Sequence, residues 1–238
     1  MIRKLGLPAA MVLGAILLAS CDGFFTNSLG EKWARDTSTI EVSAKNVKNL
    51  LKESRGDTKA SKGILDKIAE ELQKSGPNST LQVAAITAAN QASGLGELVL
   101  ENIGTVLEND VGDNAFDGLL GDIQEKAAAN EIKDIGKKVE ESLGPAVTTG
   151  NKPEFKDDLV KDVPDAELAQ LALVLVLAES EKSGGTFKDY ITTWEGKDLD
   201  GTDLTDSERI IGAIANEFVD NRPGSDLGSM ISELLKSN

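Results

Sequence analysis

Apolar residues recur along this chain at spacings of three and four, the pattern of helices that each bury one face. Residues 43–54 place Val47, Leu50 and Leu51 on such a face, with Ser43 as the expected N-cap. Residues 59–74 carry Ile64, Leu65, Ile68 and Leu72 and stop at Ser75-Gly76-Pro77. Ser79 is placed to cap an alanine-rich helix over 80–93, which Gly94-Leu95-Gly96 breaks before a further helix holding Leu98, Leu100, Ile103 and Leu107. Glycines and aspartates over 109–122 suggest a softer region around Phe116, Leu119 and Leu120. A helix over 123–143 is then expected, with Ile132, Ile135, Val139 and Leu143 in line and a stop at Gly144-Pro145.

After a loop over 145–153 the pattern changes. In AELAQLALVLVLAES, from Ala166, leucines fall on more than one face, which marks a helix surrounded by others. The run LVLVL alone would also suit a strand, but its Glu, Gln and Ala flanks favour helix. A short helix over 186–194 and an acidic loop over 195–204 follow. Thr205-Asp206-Ser207-Glu208 has the spacing of a capping box opening a helix to about Val219, and Ser225 is placed to cap a last helix to Lys236. No segment alternates as a strand with hairpin turns. The predicted class is all-α, an irregular array or bundle of about 8–11 short helices built from helical hairpins, with a solenoid as one variant.

The first residues break the pattern. Met1-Ile2-Arg3-Lys4 is a short positive start, followed by an apolar run to Leu18 that is too short to span a bilayer, which needs ~20 apolar residues. Leu18-Ala19-Ser20-Cys21 closes it with a branched apolar residue, two small ones and the only cysteine of the 238-residue chain. This stretch resembles the lipobox signal of bacterial envelope lipoproteins. The resemblance covers about 21 residues and implies cleavage before Cys21, acylation of its sulfur, and a location in the cell envelope outside the cytoplasm. Asp22 is similar to the inner-membrane retention residue of enterobacterial lipoproteins; that rule does not hold in all bacteria, so inner and outer membrane both stay open. The implied organisation is a signal peptide over 1–20, a lipid-anchored tether over 21–40 and a helical domain over 41–238. A lipobox followed by short, acidic, Ala/Leu/Gly-rich helices is also similar in composition to small spirochaete-type lipoproteins, a likeness that carries over no functional residue.

Charge narrows the partners. The net charge is −15, and loss of residues 1–20 removes Arg3 and Lys4 and no acid, leaving about −17. Such a surface repels phosphate backbones, so nucleic acid is not an expected partner. Residues 31–74 hold ten basic and eight acidic side chains, whereas residues 75–125 hold eight acids and no base. The part nearest the anchor is therefore suited to anionic headgroups.

Chemistry is limited by what the chain lacks. It has no histidine, and an acylated Cys21 leaves no thiolate, so imidazole bases, thiol nucleophiles and ordinary zinc sites are excluded. No serine has a lysine three positions on, the spacing of serine–lysine acyl enzymes. Carboxylates are left as candidates for catalysis, and Gly94-Leu95-Gly96 is only half a dinucleotide fingerprint, with Val99 where its last glycine belongs. Asp198, Asp200 and Asp203 crowd one loop as a weak calcium candidate, but in an EF-hand frame Asp203 falls on the required glycine and Arg209 on the bidentate glutamate.

The few aromatics cluster. Phe24, Phe25 and Trp33 lie close behind the anchor and suit a membrane interface, or a cap on the domain. Phe187, Tyr190 and Trp194 share one face of a short helix, either as a core stripe or as a partner or ligand face. These features favour a non-enzymatic, lipid-anchored helical scaffold that binds another envelope protein. The alternative is a small-ligand-binding lipoprotein of an uptake system.

Overall fold

The computed structural model describes residues 40–96, 113–149, 152–185, 190 and 204–224, the side chains of 113–120 aside. These residues form seven α-helices: α1 (Val47–Glu53), α2 (Thr58–Ser75), α3 (Ser79–Ser93), α4 (Asp113–Ala129), α5 (Ile132–Leu143), α6 (Asp165–Ser183) and α7 (Asp206–Asn216). No strand occurs among them; one antiparallel bridge joins Val147 to Phe155. No helix among the described residues is long and apolar enough to cross a membrane.

Local chemistry sets most helix ends. The Asp57 side chain accepts from the Ala60 N–H at 2.9 Å and opens α2, whose buried stripe is Ile64, Leu65, Ile68 and Leu72 as the spacing predicts. Asn78 rather than Ser79 caps α3, accepting from the Leu81 N–H at 3.1 Å. The capping box at α7 is complete, with Thr205 and Glu208 each bonding the other's backbone N–H. The helix expected to run to about Val219 widens near its end: after Asn216 it becomes a π-turn over Glu217–Asn221.

Two boundaries differ more. Helix α1 starts at Val47, because Asn46 uses its side chain backwards. Its Oδ1 accepts from the Ser43 N–H at 2.8 Å and its Nδ2 donates to the Glu41 carbonyl at 2.9 Å, so Ser43 sits in a turn and is not the cap. The region over 109–122 and the single helix over 123–143 are also redrawn. Residues from Asp113 are already helical, and the break falls at Asn130–Glu131. There the Asn130 Nδ2 donates to the Ser93 carbonyl at 2.7 Å, and Glu131 adopts a left-handed φ of 55°. Lys62 of α2 holds the Glu131 carboxylate by an ion pair. Gly94, left-handed at φ 62°, lies so near that a Cβ on it would stand 2.8 Å from the Asn130 Nδ2.

Helix α6 is the centre. Leu168, Leu171, Leu173, Leu175 and Leu177 are all buried, and LVLVL is helical. It packs on α3, α5 and α7, while α5 packs on α2 and α3 as well. Contacts between helices distant in sequence make this a bundle, since a solenoid repeat touches only its neighbours. The alanines of α3 (Ala84, Ala85, Ala88, Ala89 and Ala92, all buried) allow the close approach such sharing needs.

Candidate functional site

A half-open groove of about 650 Å³ lies between α1, α3 and the segment 157–163. Its floor is one side of α3, with Thr80, Val83, Ala84, Thr87 and Gln91 recurring at helical spacing, and Leu51, Leu159 and Val163 at its edges. Its two walls carry opposite charge. Lys48, Lys52 and Arg55 stand on the α1 side, and Asp157, Asp158 and Asp162 on the other.

The basic wall follows from how α1 is seated. Val47 and Leu51 turn inward and are buried, which leaves Lys48, Lys52 and Arg55, at i, i+4 and i+7, on the exposed side. A buried polar knot fixes the end of the helix beneath them. The Gln91 Oε1 accepts from Ser61 Oγ at 3.1 Å and from Ser54 Oγ at 3.4 Å, tying α1, α2 and α3 together.

The acidic wall is a loop held from behind. Asp157 and Asp158 both take left-handed φ, 55° and 53°, within or next to a short 3₁₀ turn at Lys156–Asp158. Aspartate tolerates that region better than most residues, at some local cost. The Arg222 guanidinium compensates by gathering the following turn. It donates to the carbonyls of Val160 and of Val163 (2.7 Å) and pairs with Asp165 (2.5 Å) and Glu217 (3.0 Å). Lys156 Nζ also donates to the Pro145 carbonyl at 2.7 Å.

Lys48, Lys52, Asp157, Asp158 and Asp162 are all exposed and form no ion pair with one another or with another described residue. Elsewhere on this bundle lysines find partners readily: Lys138 with Glu141 (2.8 Å), and Lys182 with Glu140 (2.7 Å) and Glu179 (2.6 Å). Burial disfavours the Lys182 ammonium, but the hydrogen bonds it donates to Glu140 and Glu179 outweigh this and hold its pKa above the usual lysine value. The groove keeps its two charge sets apart.

Of the candidate site residues expected from sequence, only Tyr190 is described. It is helical and 9% exposed within the core cluster, and its hydroxyl lies 3.5 Å from Oε1 of the buried Glu208, as a long hydrogen bond. It does not line the groove. Cys21, Phe24, Phe25, Trp33, Phe187, Trp194, Asp198, Asp200 and Asp203 lie outside the described residues. Among the described residues no three acidic side chains come together as a metal site. The groove itself was missed by the sequence reading. Its signal was Lys48 and Lys52 at i and i+4 on a short helix, followed by Arg55 in the next turn, in a chain where acids outnumber bases. Comparison with protein families, curated proteins and solved structures gives no match.

Proposed function

We propose that the protein is a non-enzymatic lipoprotein of a bacterial envelope, held by acylated Cys21, which binds another envelope protein in the groove between α1, α3 and segment 157–163. The anchor rests on the lipobox residues Leu18-Ala19-Ser20-Cys21. The binding role rests on one observation, the groove with Lys48 and Lys52 on one wall and Asp157, Asp158 and Asp162 on the other, which form no ion pair among the described residues. An open, charged groove suits a protein segment better than an enclosed apolar pocket would.

The test is photo-crosslinking in the cell. A photoreactive amino acid at Thr80 or Val83, on the groove floor, should give a discrete adduct with an envelope protein, whereas one at exposed Lys74, outside the groove, should not. Equal labelling from all three positions, or from none, contradicts the proposal. The small-ligand reading has one observation in its favour: the volume falls in the ~300–1,000 Å³ range of small-molecule sites. On that reading the floor positions give no protein adduct, and a small molecule co-purifies with the protein.

A further inference from the structure

We infer that the groove takes an extended partner segment carrying charges of both signs, its acidic groups along α1 and its basic groups along 157–162. This inference rests on the protein-binding reading above. Charge complementarity carries it. In a chain whose net charge is −15, Lys48 and Lys52 stand one turn apart on α1, exposed and with no ion-pair partner among the described residues. Facing them are three exposed aspartates that no cation meets among the described residues. A segment of a single sign would be attracted by one wall and repelled by the other; only a segment of mixed charge satisfies both.

The floor supports the same occupant. Thr80 offers a hydroxyl group of the kind that meets a peptide backbone, set between the apolar contacts of Leu51, Val83 and Leu159, while Thr87 is held by the Glu167 carboxylate at 2.9 Å and the Gln91 side-chain carbonyl by Ser54 and Ser61. Because the groove is half open, an extended chain can lie along it with both ends leaving. Fixed opposite walls also impose one orientation on the segment, so recognition has polarity as well as affinity.

The test uses full-length protein in non-ionic detergent and fluorescein-labelled synthetic peptides of equal length: one in which lysine and glutamate alternate, so that in an extended chain each sign faces one wall, one all-lysine, and one serine–glycine control. The mixed peptide has no net charge, so the acidic field of the whole protein does not draw it in. It should bind saturably at low salt, the serine–glycine control should not, and added salt should weaken it. Reversing the basic wall (Lys48→Glu with Lys52→Glu) or the acidic wall (Asp162→Lys, where φ is not left-handed) should each lower its affinity about tenfold. The all-lysine peptide, bound through overall charge, should gain rather than lose on the Lys48→Glu, Lys52→Glu variant. Unchanged far-UV circular dichroism shows that each variant is folded. The inference is overturned if the mixed peptide fails to saturate, if it binds no better than the serine–glycine control, or if either wall reversal leaves its affinity unchanged. Groove-floor crosslinks that persist in those cases overturn this inference alone; their loss ends the protein-binding reading as well.

Discussion

Gly136 of α5 and Ala178 of α6 meet with no room between them for a methyl group: a Cβ on Gly136 would stand 2.4 Å from the Ala178 Cβ. The contact lies where two buried helices cross, so neither backbone can retreat without disturbing the core. Gly136→Ala gains about 1 kcal/mol of helix propensity but incurs an overpacking cost of roughly 1–3 kcal/mol. The net of the two is a loss of up to about 2 kcal/mol, and the 2.4 Å approach of one Cβ to another puts it near that upper end, read as a lower urea midpoint. Adding Ala178→Gly should restore space and recover part of that loss. A Gly136→Ala protein as stable as its parent would contradict the packing described.

Titration gives a second expectation. Burial pushes the Asp66 carboxyl above the usual aspartate value, against the attraction of Lys62 and Lys138, and burial pushes Glu181 up likewise against Lys133. A folded-state pKa above the unfolded one means that the folded protein binds the proton more readily. The resulting stabilisation is full below the unfolded pKa and is lost as pH rises through the folded one. Asp66→Asn with Glu181→Gln removes both titrations. The stability difference, variant minus parent, should therefore rise with pH across the carboxylate range. Urea midpoints measured over that range check it; a flat or falling difference contradicts the burial of these groups.

Arg222 carries the third. Its side chain is 14% exposed and meets backbone carbonyls of 160–163 together with two carboxylates. Arg222→Ala removes these bonds together and leaves the Glu217 and Asp165 carboxylates without their cation, at a cost on the order of 3 kcal/mol. Arg222→Lys should rescue little, because an ammonium cannot reproduce the planar fork. The specific readout is hydrogen exchange. Amides of 159–163 should lose protection in both variants, and those of α2, which Arg222 does not touch, should change far less.

How much of this was legible depended on whether a feature is local. The α2 stripe, the all-round burial of α6 and the Thr205–Glu208 capping box follow from side chains a few residues apart, and spacing alone exposes them. The break at Asn130–Glu131 does not, because its causes are the Ser93 carbonyl and Lys62, brought there by α3 and α2. Asn46 defeated the Ser43 cap for a local reason: its amide binds the preceding chain instead of the helix. The groove was invisible because its walls come from segments about a hundred residues apart, Lys48 and Lys52 against Asp157 and Asp162. Each half reads in sequence as an ordinary solvated charge run.

The proposal that ties function to place is acylation of Cys21, and intact-mass analysis of the protein in a bacterial membrane fraction tests it most directly. The account predicts a mature chain that has lost residues 1–20 and gained two or three acyl chains on Cys21, and a Cys21→Ala variant that stays as unprocessed precursor. A chain that keeps residues 1–20 with an unmodified thiol, or a Cys21→Ala variant that is cleaved and retained at the membrane as before, would contradict it.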